Sequence, residues 1–350
     1  MDNKTQTDIE NISTECLVNL YIDTFHTPPQ SMIKLQGDGS DRQIYRLCST
    51  KRHPVIGIIG QNIAENRAFI AFSRHFAKHK LPVPEILAVD EAESVYLEAD
   101  LGDLTLYNRI QSEAEFNRAC LQYYEQVLYW LPKFQITAGK DLDYSFCYQS
   151  TEFAREAMIK DFEYFCNRFL AYFYKVHYDR DQLSSEFDRL LEHLLFPQRD
   201  FFLYRDFQSR NIMLVNEQPH FIDYQSGRHG ALQYDIASLL FDAKARVPAS
   251  AREHLLQYYI SRVQELIDVN VHNFMDGFYP YVWMRVMQAL GAYGFLSQVK
   301  GKPNFLSNIP PALHNIKYLL DVGTVMDSLP VLKTIFINLV NDQSLYTLGK

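Results

Sequence analysis

The stretch YRDFQSRN, Tyr204 to Asn211, sets two cations, an anion and two amides between the apolar runs FFL and IMLV. Short apolar runs around so polar a segment predict strands, with a loop whose side chains stand at the strand ends. A further run, HFI, follows a turn at Asn216–Pro219, and Asp223 comes just after it in FIDY. IMLV and HFI therefore predict a hairpin, and a hairpin brings its two ends together. Asp223 is expected near the loop that carries Asp206 and Asn211. D-x-x-x-x-N alone also fits an ordinary polar hairpin; the apolar flanks, the hairpin spacing and the second Asp make the set more specific.

Such a loop needs a body to hold it, and 350 residues allow one large domain or two ordinary ones. Hydrophobic residues at 47% and charged residues at 22% suit a globule with a full core, and 23 Tyr and 24 Phe predict that this core is rich in aromatics. A net charge of −8 argues against nonspecific binding of nucleic acid or a membrane surface, which needs a basic face, but allows a local cationic pocket. No apolar run reaches the roughly 18 residues of a membrane-spanning helix. The N-terminal MDNKTQTDIENISTEC lacks a signal-peptide core, so a cytoplasmic location is expected. Five scattered cysteines (Cys16, Cys48, Cys120, Cys147 and Cys166), without a CxxC, read as reduced thiols.

Residues 1–30 predict a helix with Leu17, Leu20, Tyr21 and Phe25 on one face, stopped by Pro28-Pro29. SMIKLQ, QIYRLCS and PVIGIIG predict strands, the first two forming a hairpin about GDGSDR. A helix is expected from Ile63 to His79, with Asn62 as N-cap and Glu65 completing a capping box. LPVPEILAVD and SVYLEADLG add strands before a linker at Gly102. Residues 31–101 thus predict a small sheet with one helix, and residues 102–350 a mainly helical part that contains the hairpin. Met158, Phe162, Phe165, Phe169 and Phe173 fall at helical spacing, as do Leu255, Tyr259, Val263, Leu266 and Ile267.

Asp, Asn and Asp oxygens converging at strand ends suit Mg²⁺, a hard cation that takes few protein oxygens and keeps waters or phosphates. The remaining Asp is then available to accept a proton. This is the catalytic-loop logic of protein-kinase-like phosphotransferases, in which the base and a metal ligand share one loop and a second metal Asp follows a hairpin. Tyr204 replaces the usual His, and Tyr224-Gln225 replaces Phe-Gly. GDGSDR fits both a plain turn and a phosphate-covering loop, in which Gly37, Gly39 and Ser40 let backbone amides approach phosphate oxygens.

With these motifs, GDGSDRQIYRL, LPVPEILAVD, YLEADLGD, YRDFQSRN, FIDYQSGRHGALQYDIASLL and GKPNFLSNIP, the chain resembles the aminoglycoside/choline-kinase-like phosphotransferases over roughly residues 30–320. Within them it is most similar to the bacterial anomeric kinases of N-acetylmuramate and N-acetylglucosamine, which serve cell-wall recycling. The resemblance implies a two-lobed α+β fold of the protein-kinase type, with ATP and Mg²⁺ in the cleft between a small sheet lobe and a helical lobe. It implies Asp206 as catalytic base, Asn211 and Asp223 as metal ligands, and the span Glu98 to Asp100 as the partner of adenine, mainly through its backbone. Asp235 supports the loop in this reading, or simply begins its helix.

One departure stands out. VIGIIG, Val55 to Gly60, has no Lys to meet the α- and β-phosphates, so Arg210 and Arg42 are the cations that could replace it. Glu65, the usual partner of that Lys, then reads as a capping residue. Asp161 and Arg285, with Glu156, Lys160 and Gln288 near them, are candidate ligands of a small-molecule acceptor, or else exposed helix residues. His177, His193, His229 and His272 lie in no H-x-x-x-H pattern and have no Cys partner, so no zinc site is expected. An amino sugar is the expected acceptor; an aminoglycoside or choline-like alcohol, and a non-catalytic nucleotide-binding role, stand as alternatives.

Overall fold

A computed structural model describes residues 3–35, 42–323 and 325–349. Two compact units are present, and neither is continuous in sequence. One joins residues 1–106, 141–151 and 211–227; the other joins 107–140, 152–210 and 228–350. The sequence predicts boundaries after residues 30 and 101, with everything from 102 onward in one helical part. The hairpin that follows the polar loop instead packs in the sheet unit, because its amides complete that unit's hydrogen bonds. Leu214 N donates to Leu104 O at 2.8 Å and Phe221 N to Pro82 O at 2.8 Å.

The first unit begins with helix α1 (Asn3–Phe25). An antiparallel sheet follows, of strands β1 (Ser31–Leu35), β2 (Gln43–Cys48), β3 (Val55–Ile59), β4 (Ile86–Val89) and β5 (Val95–Ala99), in the order β1-β2-β3-β5-β4. Leu17 and Tyr21 of α1 are buried against Tyr45, Leu47, Val55, Ile59, Val95 and Leu97, with Leu20 and Phe25 at the margin. This is the face that the spacing predicts. Gly57 permits the close approach, since a Cβ there would stand 2.5 Å from Leu17 Cδ1. Every residue of β3 is buried, which explains why this strand is apolar throughout.

Helix α2 (Ile63–Lys78) connects β3 to β4, and Asn62 caps it as expected by accepting from Glu65 N. The hairpin strands are Ile212–Val215 and Gln218–Phe221. Their turn is Asn216-Glu217, with φ of 50° and 61°, the left-handed pair of a two-residue hairpin. Pro219 therefore lies in the second strand, opposite Leu214, and not in the turn.

The second unit is mainly helical around the long helix Val271–Gln298. Gly294 lets the segment Phe165–Tyr174 pack on it, because a Cβ there would stand 2.4 Å from Arg168 O. Met158, Phe162, Phe165 and Phe169 are buried as their spacing predicts, although the helix Arg155–Tyr164 widens to a π-helix from Phe165. Leu255, Tyr259 and Val263 are likewise buried, but their helix ends at Gln264 and leaves Leu266 exposed. A short strand pair, Phe201–Leu203 with Arg228–Gly230, carries the start of the polar loop; its second strand has no clear sequence signal. Among the described residues no helix is long and apolar enough to cross a membrane.

Candidate active site

The loop alternates between anchored and presented side chains. Tyr204, Phe207 and Ser209 are buried, while Arg205, Asp206, Gln208 and Arg210 are half-buried. In the helical unit the loop's backbone is held from below by Asp235, in the first turn of the helix Leu232–Leu240. Asp235 accepts from Tyr204 N at 2.9 Å, from Arg205 N at 3.0 Å and from Gln135 Nε2 at 2.9 Å. Gln135 is set in turn by Tyr259, whose hydroxyl donates to Gln135 Oε1 at 2.5 Å. Burial pushes the Asp235 carboxyl up to about 6, against the pull of those donors. Ala231, not Asp235, occupies the N-cap, so loop support is the role Asp235 plays. Arg205 has φ of 81°, a conformation rare for a side-chain-bearing residue, and the Asp235 bonds on either side of its peptide hold it there.

Arg205 reaches Asp161 with two hydrogen bonds of 2.9 and 2.7 Å, and also donates to the Tyr234 hydroxyl. Its guanidinium lies over the Phe153 ring at 4.7 Å and the Tyr234 ring at 5.1 Å. Burial opposes this charge, but Asp161, Tyr234 and Asp206 outweigh it and keep the guanidinium above its ordinary value. Asp161 and Arg285 are thus not exposed helix residues. Asp161 is committed to Arg205, and Arg285 is buried, donating to the Tyr234 hydroxyl at 2.9 Å and to Gln288 Oε1 at 2.7 Å. Arg285 Nε is buried and meets no acceptor among the described residues. Asp206 and Arg285 both act electrostatically on Tyr234, so the base candidate and this cation share one neighbourhood. Ser209 Oγ donates to Asp242 Oδ2 at 2.9 Å and pins the far side of the loop. Arg210, beside it, lies near enough to Tyr293 to oppose the upward push of burial on that phenol.

The sheet unit holds a second polar cluster, around Asp223. This residue has φ of 70° and its side chain is 33% exposed. It accepts from Asn211 Nδ2 at 3.0 Å, Gln225 Nε2 at 2.8 Å and Arg42 Nη2 at 3.1 Å. Ile222 N donates to Asn211 O at 3.1 Å, so the backbone closes the same loop. Tyr224, next in the chain, locks Asp223 in place: its ring stacks on Phe69 of α2 at 5.0 Å and its hydroxyl bonds Ser73 at 2.6 Å. Gln225 Oε1 is buried and meets no donor among the described residues, an orphaned acceptor beside a carboxylate. Asp223, Asn211 and Gln225 offer carboxylate and amide oxygens alone, which fits a hard divalent cation.

Glu65 does not complete a capping box. Its carboxylate faces Arg42 Nε at 3.6 Å and Gln225 Nε2 at 3.3 Å. Burial opposes the Arg42 charge, and Tyr96, Asp223 and Glu65 together outweigh it. The cation that meets Glu65 therefore comes from the start of β2 and not from the apolar β3. Gly37, Gly39 and Ser40 lie outside the described residues. Glu98 and Ala99 end β5, within the predicted strand SVYLEADLG: Ala99 N donates to Glu85 O at 2.9 Å and Glu98 pairs with Ile56. Glu98 Oε2 is buried without a donor among the described residues, and burial pushes the carboxyl up to about 8, with Arg42 opposing. The Asp100 side chain is taken by Arg46, at 2.6 and 3.0 Å, and by Gly102 N at 2.9 Å. The sequence reading missed Arg205, Gln135, Tyr224 and Gln225. For the last two the signal was present, as the replacement of Phe-Gly by Tyr-Gln.

Residues 59–268, more than half of the chain, match the model of the phosphotransferase enzyme family. The chain belongs to that family. Its curated relatives include the N-acetylmuramate/N-acetylglucosamine kinase of Neisseria meningitidis, 29% identical over 56% of this chain and 59% of that one. The enzyme of the same name from Pseudomonas aeruginosa is 24% identical over 90% of this chain and 94% of its own length. The match thus spans less than two thirds of the first relative and nearly all of the second. Among solved structures, choline kinase from Streptococcus pneumoniae superposes with a TM-score of 0.60 at 14% identity, covering 90% of this chain and 99% of that one. The fold of this phosphotransferase is the protein-kinase-like α+β fold.

Proposed function

We propose that this phosphotransferase moves the γ-phosphoryl of ATP to a hydroxyl of an amino sugar, with the anomeric hydroxyl of an N-acetylmuramate or N-acetylglucosamine type as acceptor. Asp206 orients that hydroxyl and takes its proton as the oxygen attacks. Asn211 and Asp223 would hold Mg²⁺, which would offset charge on the phosphates when bound. Arg42, braced by Glu65, supplies the charge that a β3 Lys brings elsewhere in the fold class. Arg205 and Asp235 act through the loop: they fix its backbone so that Asp206 is presented and not buried.

The observation that carries the acceptor class is the state of the carboxylates around the loop. Asp161 is paired with Arg205, Asp235 with two loop amides, and Asp242 with Ser209, while Arg285 adds a buried cation. A polycationic aminoglycoside or a choline needs spare acids there; a neutral or anionic sugar does not. The two relatives named as sugar kinases support the same reading.

The test is Mg²⁺-dependent ADP release with a panel of free N-acetyl amino sugars, aminoglycosides and choline, for the wild type and Asp206→Asn. Turnover on free amino sugars, lost in the variant with ATP binding retained, is expected. Turnover on aminoglycosides or choline alone overturns the acceptor class, and ATP binding without turnover on any acceptor overturns the enzyme.

A further inference from the structure

The pattern H-x-x-x-H is in fact present, in HFAKH, at His75 and His79. The spacing puts both imidazoles on one face at the C-terminal end of α2. The structure brings a third group to them from the same compact unit. His79 Nε2 lies 3.0 Å from Asp141 Oδ1, and His75 Nε2 lies 3.6 Å from the same oxygen. The three candidate ligand atoms all fall within 4.8 Å of one another. Tetrahedral ligands about 2.0–2.1 Å from a Zn²⁺ ion stand about 3.3 Å apart, so the Asp141 contacts straddle the required spacing.

We propose that His75, His79 and Asp141 form a binding site for a borderline divalent transition metal, with Zn²⁺ as the natural occupant and water as fourth ligand. Two imidazoles and one carboxylate suit such an ion and do not suit Mg²⁺, which prefers oxygen. The competing arrangement is metal-free, with imidazole N–H groups donating to Asp141. The two ring centroids stand 4.7 Å apart. The two histidine side chains are 15% and 26% exposed and Asp141 64%, which leaves the fourth corner open to water. The bound ion ties the end of α2 to the segment that begins at Asp141. Because α2 also carries Glu65, the tie acts on the helix that positions Arg42.

Chelator-stripped full-length protein, titrated with Zn²⁺ in excess Mg²⁺ against a chromophoric competitor, provides the test. One equivalent of Zn²⁺ is expected, unaffected by Mg²⁺ and by Asp223→Ala. His75→Ala and His79→Ala each weaken it more than about 10-fold, the least that loss of even an outer partner of a metal ligand brings. Binding unchanged in both variants, as a thiol site would give, overturns the proposal. Co²⁺ on the wild type is the second measurement and needs no variant to fold: intense d–d absorption of a four-coordinate site is expected, and its absence overturns the site.

Discussion

Asp223 and Asp235 each accept hydrogen bonds from three groups, yet they are opposite kinds of carboxylate. The donors to Asp223 are the side chains of Arg42, Asn211 and Gln225, and a third of its own side chain is open. The donors to Asp235 are two backbone amides and a buried Gln, and Asp235 has no exposed surface. Side-chain donors can turn away when a cation arrives; backbone amides locked in a strained loop cannot. Equal hydrogen bonding thus suits one carboxylate to the ligand role proposed for it and makes the other a structural bolt, and the difference is burial and what the donors are attached to.

The comparison is most exposed to Asp235→Ala. Removing this acceptor leaves two buried amides unmet, at about 1–3 kcal/mol each. A loss of roughly 2–6 kcal/mol in denaturant unfolding is expected; a loss below about 1 kcal/mol, typical of surface changes, would dissolve the distinction. Asp223→Asn is expected to do the reverse. The unfolding free energy stays within about 1 kcal/mol, because Asn tolerates positive φ, while kcat falls roughly 10²–10³-fold with the loss of a charge-stabilising group. A stability loss equal to that of Asp235→Ala would contradict it.

Arg42→Met tests whether the sheet unit's cation serves ATP. Loss of charge-assisted bonds worth about 1.5–3 kcal/mol raises KM for ATP roughly 10- to 100-fold, with Arg42→Lys recovering part. An unchanged KM would return the role to Arg210. For Glu98 the effect varies with pH, and its sign is set by burial. Its folded carboxyl titrates near 8 against an ordinary 4.5, so the stability it contributes is complete below 4.5 and is lost as pH rises to 8. Glu98→Gln is expected to remove that slope, so the variant's unfolding free energy gains on the wild type from pH 4.5 to 8. Parallel pH profiles would show that Glu98 ionises without cost.

Much of this was legible in the chain. The helix from Ile63, its Asn62 cap, the face Leu17, Leu20, Tyr21 and Phe25, and the strands of the sheet follow from periodicity, because each rests on contacts a few residues apart. The candidates Asp206, Asn211 and Asp223 come from one loop and one hairpin, which are local features of the same kind. Glu65 was misread because its partner, Arg42, stands far back in the chain, just before β2, and helix rules describe only the backbone beside it. The exposed alternative for Asp161 and Arg285 fails because a polar helix face can be buried against neighbouring side chains.

The sequence by itself determined the elements, the polar loop and the residues proposed to carry chemistry. Local hydrogen bonds and apolar spacing suffice for those. Only the tertiary structure decided which charges meet: Arg42 with Glu65 and Asp223, Arg205 with Asp161, and His75 and His79 with Asp141. Ion pairs between elements distant in the chain have no period to read, and whether a carboxylate becomes a ligand or a bolt depends on burial that exists only once the chain has folded.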